Sequence, residues 1–311
     1  MDPNLLDRAR GCVVGAVVGD ALGMPLEGCA ARAADRLVRD MADGRLAAGT
    51  FTDDTEMALA MAESLLYCKC LDPDDVARRF VSWYQNSPND VGFHTATVLS
   101  HIASGESWKN ASETTYQTDP NNSAGNGSIM RCWPIALFDW KNLDQLVFDS
   151  ILQSKITHSH PECVAASALI NSTIYYLLQG LPIKKALANV MDVAGVPQEL
   201  RELIEYAPCQ RRELLKNSGW VRDTLQSVAW AILTTNSFED ALVQTINLGN
   251  DADTAGGVAG ALAGALYGIN SIPARWSYTV HGEWPIGSGV QLRVLELRTL
   301  ADRLIDIPGS L

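Results

Sequence analysis

The sequence predicts an all-α protein, and three observations carry that prediction. Along most of the 311-residue chain, apolar side chains recur every three or four residues, as they do on the buried face of a helix. Alternating apolar and polar residues, which mark strands, nowhere continue for a useful length. Short clusters of Pro, Gly and Asn separate the periodic segments, and none is long enough for an interdomain linker. We therefore expect residues 1–311 to form a single compact domain, an orthogonal bundle of many helices.

The individual helices follow from local signals. The first predicted helix, Leu5–Leu22, and the second, Thr55–Lys69, each place apolar residues on one face. A third begins at Pro73, because the N–H that proline lacks has no partner in the first turn of a helix. The remaining predicted helices are Val91–Ser104, Gly127–Phe138, Leu143–Ile156, Pro161–Leu178, Ile183–Val193, Gln198–Tyr206, Val221–Thr234, Phe238–Leu248, Thr254–Tyr267 and Gln291–Ile307.

Two of these helices carry glycine at every fourth residue. The glycines are Gly11, Gly15, Gly19 and Gly23 near the start of the chain, and Gly256, Gly260, Gly264 and Gly268 near its end. Four-residue spacing places each set on one helix face, and each interior glycine costs roughly 1 kcal/mol relative to alanine. A cost repeated so often predicts close backbone packing, which we expect between these two helices.

Composition excludes several classes of function. Apolar residues make up 47% of the chain, enough for a sizeable core. The formal net charge of −12 argues against nucleic acid as a partner, because no basic stripe can replace phosphate counterions. The seven cysteines include no Cys-x-x-Cys pair, so we expect reduced thiols and a cytoplasmic location.

The sequence also predicts that no segment spans a membrane. The apolar run from Gly11 to Pro25 follows two arginines and resembles a signal peptide, but Asp20 interrupts it. The run from Ala255 to Asn270 is shorter than the roughly 18 residues that a span needs. We expect both runs to form buried helices.

Two short acidic clusters, about two hundred residues apart, are the most informative feature for function. They are Thr52-Asp53-Asp54 and Asp251-Ala252-Asp253-Thr254, and each follows a glycine and precedes a predicted helix. Mg²⁺ and Mn²⁺ prefer oxygen ligands of this kind. Together the clusters supply four carboxylates and two hydroxyls, enough for a two-metal centre if the fold brings them together.

Helix capping is the alternative interpretation of these clusters. Asp and Thr are favoured at helix N-caps, and Asp53 with Glu56 has the spacing of a capping box. Capping does not require two adjacent aspartates, since like charges repel unless a cation neutralises them. The repetition of the pattern at two places therefore favours metal binding.

Further motifs accompany the acidic clusters in a fixed order. They are Gly19–Gly23 with Glu27, Thr52–Met57, Asp90–Gly92, Gly125–Arg131, Thr157–His158, Asp223–Leu225, Asn247–Thr254 and Ile272–Trp276. In order and spacing this series resembles the ADP-ribosylglycohydrolase family, which includes dinitrogenase-reductase-activating glycohydrolases and ADP-ribosylarginine hydrolases. The resemblance covers almost the whole chain.

The resemblance implies an all-α domain with a dimetal site at its centre, holding two Mg²⁺ or Mn²⁺ ions. The implied reaction is hydrolysis of the bond at ribose C1″ in an ADP-ribosylated protein or a small ADP-ribose conjugate. The implied metal ligands are Thr52, Asp53, Asp54, Asp251, Asp253 and Thr254. The implied catalytic residues are Glu27, Asp54 and Asp90. The implied substrate-binding residues are Gly125, Asn126, Gly127, Ser128, Met130 and His158.

The residue types suit this chemistry. Cleavage of a glycosidic bond builds positive charge on the sugar, which nearby carboxylates stabilise. The segment from Gly125 to Ser128 offers backbone N–H groups and, at the start of a predicted helix, a helix N-terminus to a diphosphate. Two other functions remain open from the sequence: a dimetal phosphohydrolase acting on nucleotides, and a non-enzymatic relative similar to lens crystallins.

One segment departs from the family pattern. Phe93 and Ala96 follow Asp90 where members of the family carry polar residues near the leaving group. Buried donors without partners cost about 1–3 kcal/mol each, so this change predicts a leaving group other than arginine.

Overall fold

In the computed structural model of the protein, residues 3–193 and 195–306 are described, and they are mostly helical. The prediction of a helical fold is confirmed. The α-helices are α1 Pro3–Gly23, α2 Asp53–Cys68, α3 Pro73–Gln85, α4 Phe93–Ala103, α5 Trp108–Thr118, α6 Trp133–Phe138, α7 Leu143–Lys155, α8 Pro161–Leu178, α9 Ile183–Val193, α10 Gln198–Tyr206, α11 Val221–Thr234, α12 Phe238–Ile246, α13 Ala252–Tyr267, α14 Ala274–Ser277 and α15 Val294–Asp306. A two-stranded antiparallel sheet pairs β1 Gly282–Glu283 with β2 Gln291–Leu292.

Helices α1 and α13 form the centre of the fold, and their glycine faces lie directly against each other. A Cβ atom placed on Gly19 would lie only 1.9 Å from the carbonyl oxygen of Gly256, and one placed on Gly15 would lie 2.3 Å from that of Gly260. Side chains at these positions would therefore prevent the observed packing. The predicted pairing of the two glycine-rich helices is confirmed.

This pairing is antiparallel and brings the end of α1 next to the start of α13. Gly11 packs on Gly264 at one end of the pair, while Gly23 packs on Ala252 at the other. The carboxyl end of α1 therefore lies beside the first turn of α13. Asp20, on the last turn of α1, also binds the backbone at the start of α2. Three helix ends thus meet at one place.

A long segment connects α1 to α2 and covers this meeting place. The backbone of Val38 exchanges two hydrogen bonds, each 2.8 Å long, with the side-chain amide of Asn247. The Arg32 N–H donates to the Asn247 carbonyl, and Thr50 bridges to His281. These contacts fix the segment on both sides of Arg45.

Most predicted helix boundaries agree with the structure within two residues, and the exceptions have local causes. The predicted helix Gly127–Phe138 begins only at Trp133, because the preceding residues form turns held by the side chain of Asn126. Gln291 pairs in the sheet, so the last helix begins at Val294. The predicted end of that helix, Ile307, lies outside the described residues.

Two helices were not predicted. Helix α5 is rich in Ser, Thr and Asn, which weakens its apolar periodicity, although Ser107 caps it by accepting a bond from the Asn110 N–H. Helix α14 is a single turn after Pro273. Both show that short or polar helices depend on tertiary packing more than on local preference.

Within the described chain, one segment is long and apolar enough to cross a membrane: Pro3–Leu26, which is α1 with the turn that follows it. In this structure 89% of its most apolar stretch of 18 residues is buried inside the protein. Its apolar surface therefore belongs to the core, as expected from the charge of Asp20 within it.

Adjacent glycines on α13 provide a matched test of the central packing. We expect Gly256→Ala to lower the free energy of unfolding by about 1–3 kcal/mol, because the new Cβ would lie 2.3 Å from the Gly19 carbonyl oxygen. Gly257→Ala meets nothing closer than 3.7 Å and should raise stability by up to about 1 kcal/mol through helix propensity. Urea denaturation of both variants measures the difference, and equal stabilities would contradict the packing argument.

Candidate active site

A cavity of about 300 Å³ lies where α1, α2 and α13 meet. It brings together both acidic clusters, Glu27 from the segment after α1, and residues 125–130, which we call the glycine-rich loop. The predicted site residues that line it are Glu27, Asp53, Asp54, Asp90, Gly125, Asn126, Gly127, Met130, His158, Asp251, Asp253 and Thr254. Residues about two hundred positions apart therefore share one cavity.

Two predicted site residues, Thr52 and Ser128, do not line this cavity. The Thr52 hydroxyl lies below the cavity wall, 2.9 Å from a carboxylate oxygen of Asp20 and 3.3 Å from one of Asp54. Ser128 is fully buried behind the glycine-rich loop, where its hydroxyl accepts a bond from Ser167. Ser128 thus supports the loop from behind.

The acidic clusters do not serve as helix caps. Thr52 is the N-cap residue of α2 and Asp251 that of α13, but neither side chain makes a capping bond to the described backbone. The Glu56 carboxylate accepts instead from the indole of Trp83 at 2.8 Å, so no capping box forms. The capping interpretation is wrong here, and the carboxylates need another explanation.

Burial and mutual repulsion dominate the electrostatics of the cavity. Burial, followed by repulsion from neighbouring carboxylates, raises the pKa of Asp53, Asp54 and Asp253 well above its ordinary value. Burial also raises the pKa of Asp251, although Asn126 donates to it at 2.5 Å. Desolvated like charges of this kind are stabilised by a bound cation.

One oxygen atom points to the same conclusion. Oδ1 of Asp54 is buried and has no hydrogen-bond partner in the described part of the chain. Buried carboxylate oxygens are almost always paired, so an unpartnered one is a candidate ligand atom. The oxygen-rich donor set fits a hard divalent cation.

The predicted metal ligands do not all converge on one point. Within residues 3–193 and 195–306, no three His, Cys, Asp or Glu side chains surround a single point closely enough to hold a metal as they stand. Asp253 is engaged by Arg45 at 3.4 Å, and the Thr52 hydroxyl is engaged by Asp20. Asp253 and Thr52, two of the predicted metal ligands, are therefore hydrogen-bonded to protein groups in this conformation.

Asp20 organises the cluster on α2, a role that the sequence analysis did not assign. Its carboxylate is fully buried and accepts from the backbone N–H groups and the hydroxyls of Thr52 and Thr55, with the shortest bond at 2.5 Å. These bonds orient the first turn of α2 towards the cavity. In the sequence, the position of Asp20 within an otherwise apolar helix could have indicated this role.

Arg45 was also missed, and among the described residues it is the cation that pairs with carboxylates of the cavity. Its guanidinium donates to Glu27 at 2.6 Å and lies 2.8 Å from Asp90 and 3.4 Å from Asp253. No local motif marks this arginine in the sequence. Its position follows from the course of the segment between α1 and α2.

The glycine-rich loop forms the opposite wall of the cavity. Asn126 fixes the loop, since its side-chain amide donates to Asp251 and lies 3.0 Å from the Thr224 hydroxyl. The backbone N–H groups of Gly127 and Ser128 have no acceptor among the described residues, and Gly127, which lines the cavity, can offer its N–H to a ligand. Because α6 starts at Trp133, these N–H groups belong to a turn, and the expected helix N-terminus is not there.

His158 presents a defined hydrogen-bond donor to this loop. The buried Arg131 donates to the Thr157 hydroxyl at 2.7 Å, and this hydroxyl lies 2.8 Å from His158 Nδ1. Arginine can only donate, so the hydroxyl accepts from Arg131 and can give its own proton to Nδ1, and we therefore assign the ring proton to Nε2. Burial, then the charges of His94 and Arg131, lowers the pKa of His158 well below its ordinary value, so the ring is neutral. Nε2 faces Gly125 and Gly127.

A larger cavity of about 810 Å³ lies elsewhere, between α2 and α15 and beside Trp284. Its walls are mostly aliphatic, and its acids Glu63 and Glu296 lie among arginines, including Arg79, which pairs with Glu63 at 3.0 Å. Neither acidic cluster reaches it. The smaller cavity therefore remains the candidate active site.

Known proteins resemble this chain over nearly its whole length. The model for the ADP-ribosylglycohydrolase family matches residues 1–309. ADP-ribosylarginine hydrolase Tri1 of Serratia proteamaculans is 36% identical over 283 residues, covering 87% of this chain and 74% of that protein. The ADP-ribosyl-(dinitrogen reductase) glycohydrolase of Rhodospirillum rubrum is 34% identical, covering 88% of this chain and 90% of that protein. A solved ADP-ribosylglycohydrolase-related protein complex has a TM-score of 0.82 at 32% identity, covering 98% of this chain and 99% of that one.

The hydrogen-bond chain behind His158 can be tested by nuclear magnetic resonance. In the wild type at neutral pH we expect ¹⁵N shifts of a neutral ring protonated on Nε2, because burial lowers the pKa of His158 well below its ordinary value. Thr157→Val removes the donor to Nδ1, so both tautomers should become populated. Thr173→Val is a matched control, because its buried hydroxyl bonds only to its own helix at Leu169. An unchanged His158 spectrum in Thr157→Val would contradict the assignment.

Proposed function

Because this chain belongs to the ADP-ribosylglycohydrolase family, we propose that it is a hydrolase that cleaves the bond at ribose C1″ of an ADP-ribose conjugate. One observation carries the proposal: two distant acidic clusters share one cavity, where a buried Asp54 oxygen has no partner among the described residues. The substrate is an ADP-ribosylated protein side chain or a small ADP-ribose conjugate. We also propose a cytoplasmic location, because all seven cysteines are free thiols.

We propose two Mg²⁺ or Mn²⁺ ions as cofactors. The donor set is Thr52, Asp53, Asp54, Asp251, Asp253 and Thr254. Bound there, such ions would lower the pKa of a water molecule and hold oxygen atoms of the substrate. Oxygen ligands and excess negative charge both suit these ions.

The two walls of the cavity carry different groups and would contact different parts of the substrate. On one wall, the free N–H of Gly127 and the Nε2–H of His158 are neutral donors that suit a diphosphate or sugar oxygen. On the other wall, carboxylates including Glu27 and Asp90 line the cavity and would stabilise the positive charge that develops on the sugar. A substrate that is anionic at one end and becomes cationic at the other fits this division.

The residues at the mouth of the cavity bear on the choice of leaving group. Relatives with 34–36% identity are named for arginine-linked or dinitrogen-reductase-linked ADP-ribose. In this chain Phe93 lines the mouth of the cavity with its side chain 90% exposed. An exposed ring supplies no buried partner for a guanidinium, so a linkage other than arginine remains the proposed preference.

Product analysis tests the function directly. We expect the Mn²⁺-loaded protein to release ADP-ribose from conjugates of arginine, serine or acetate, and to release no inorganic phosphate from nucleotides. Asp251→Asn should reduce turnover at least tenfold at limiting metal, since one candidate ligand charge is lost. Asp144→Asn makes the same chemical change at an exposed residue of α7 and should be neutral. Phosphate as the main product would favour a phosphohydrolase instead.

Metal binding has a separate readout in stability. Mn²⁺ at a hundred times its Kd should raise the free energy of unfolding of the wild type by about 2.7 kcal/mol. The gain should be smaller for Asp251→Asn at the same concentration. Without metal, this variant should be at least as stable as the wild type, because one repelling carboxylate is gone. Equal Mn²⁺ stabilisation of the two proteins would remove Asp251 from the ligand set.

The glycine-rich loop can be tested by blocking it. A Cβ on Gly127 would lie 2.8 Å from His158 Cε1 and 3.2 Å from the Thr95 hydroxyl, so Gly127→Val must push into the cavity wall. We expect the affinity for ADP-ribose to fall at least tenfold while Mn²⁺ affinity stays unchanged. Isothermal titration calorimetry measures both, and unchanged ADP-ribose affinity would place the ligand elsewhere.

A further inference from the structure

Arg45 holds a combination of carboxylates that a cationic leaving group would need. Its guanidinium donates to Glu27 at 2.6 Å and lies 2.8 Å from Asp90. These are the two cavity carboxylates outside the proposed metal-ligand set. Both lie in the wall of the cavity, and each is only partly buried, with 31% and 36% of its side chain exposed. A substrate could reach them if Arg45 were absent.

The guanidinium is also the group that an arginine conjugate would present. Its planar fork of N–H donors matches carboxylates better than an ammonium does. A substrate guanidinium that binds at this wall would therefore pair with Glu27 and Asp90, the carboxylates that Arg45 already engages. It would have to displace an arginine that belongs to the chain itself, or enter without a carboxylate partner.

The backbone around Arg45 favours its present position. The Gly44 N–H donates to the Leu46 carbonyl at 2.9 Å and closes a turn at Arg45. The Ala48 N–H donates to Asp43 at 2.9 Å, and Gly44 packs against Pro25. An arginine presented by a fixed turn loses less conformational entropy when it binds than a free side chain does. Intramolecular competition of this kind acts at high effective concentration.

We propose that Arg45 is a specificity-determining residue that acts as an internal competitor of guanidinium leaving groups. The inference rests on the proposed hydrolase function and adds its preference among substrates. With Glu27 and Asp90 engaged, conjugates with neutral leaving groups enter the cavity without competition. Conjugates of arginine must displace Arg45 from Glu27 and Asp90, and this weakens their binding.

The test compares substrate preference and guanidinium binding in variants of one position. In Arg45→Ala we expect the ratio of kcat/KM for ADP-ribosyl-arginine to that for O-acetyl-ADP-ribose to rise at least tenfold. Millimolar guanidinium ion should restore the low wild-type ratio, because the free ion refills the vacated position. Agmatine should bind Arg45→Ala at least tenfold more tightly than the wild type in calorimetry.

Two further variants separate this role from a structural one. Arg36→Ala removes the same charge from the same segment, but Arg36 is 83% exposed and lies 4.0 Å from Asp35, so it should behave as the wild type. Arg45→Lys keeps the charge and protects against loss of folding, and it should give an intermediate ratio. Thermal unfolding confirms that each variant is folded.

The outcomes distinguish the two proposals. An unchanged substrate ratio in Arg45→Ala, with both proteins active, would overturn the role of Arg45 and leave the hydrolase function intact. If neither the wild type nor any variant cleaves an ADP-ribose conjugate, the proposed function is wrong. The agmatine affinities of wild type and Arg45→Ala then test the role of Arg45 by themselves. Equal agmatine affinity of wild type and Arg45→Ala would overturn the inference in that case.

Discussion

The close contact between the glycine faces of α1 and α13 is the constraint on which the site depends. Because Gly23 lies against Ala252, the last turn of α1 and the first turn of α13 are held within backbone contact. Asp20 then orients the start of α2 at the same place. A side chain larger than hydrogen on either face would move these ends apart. Glycines in the interior of α1 and α13 lower the stability of each helix, but they allow the backbone contact that fixes the junction of the three helices.

That junction carries an electrostatic cost which the fold offsets only in part. Helices α2 and α13 both begin at the cavity, so the positive ends of their dipoles face the buried aspartates. Arg45 adds one full positive charge beside Asp253. The unpartnered oxygen of Asp54 shows that the compensation is incomplete. Asp53, Asp54 and Asp253 are buried around this cavity and Asp251 is half-buried, so the proposed cations would relieve a repulsion that the fold leaves in place.

Periodicity and composition were sufficient to predict the helices, and the four-residue glycine spacing was sufficient to predict the central pair. The acidic clusters could be recognised because both repeat one unusual pattern. What the sequence could not provide was position in space. Arg45 is one of 24 basic residues, and only the path of the segment before α2 places it among carboxylates. Likewise, the helix predicted from Gly127 failed because side-chain bonds of Asn126 to distant residues outweigh local preference.

The side chains of the cavity suit glycoside cleavage. The wall with free donors offers a turn N–H and a neutral imidazole, so the protein itself places no positive charge beside a phosphate there, and phosphoryl transfer would depend on the proposed metal ions alone. Neutral donors can hold a diphosphate in place without activating it. The carboxylates lie on the opposite wall, where they suit a sugar that gains positive charge as its C1″ bond breaks. The buried Arg131 contributes by fixing the donor of His158 through Thr157, and it contacts no residue of the acidic wall in the described structure.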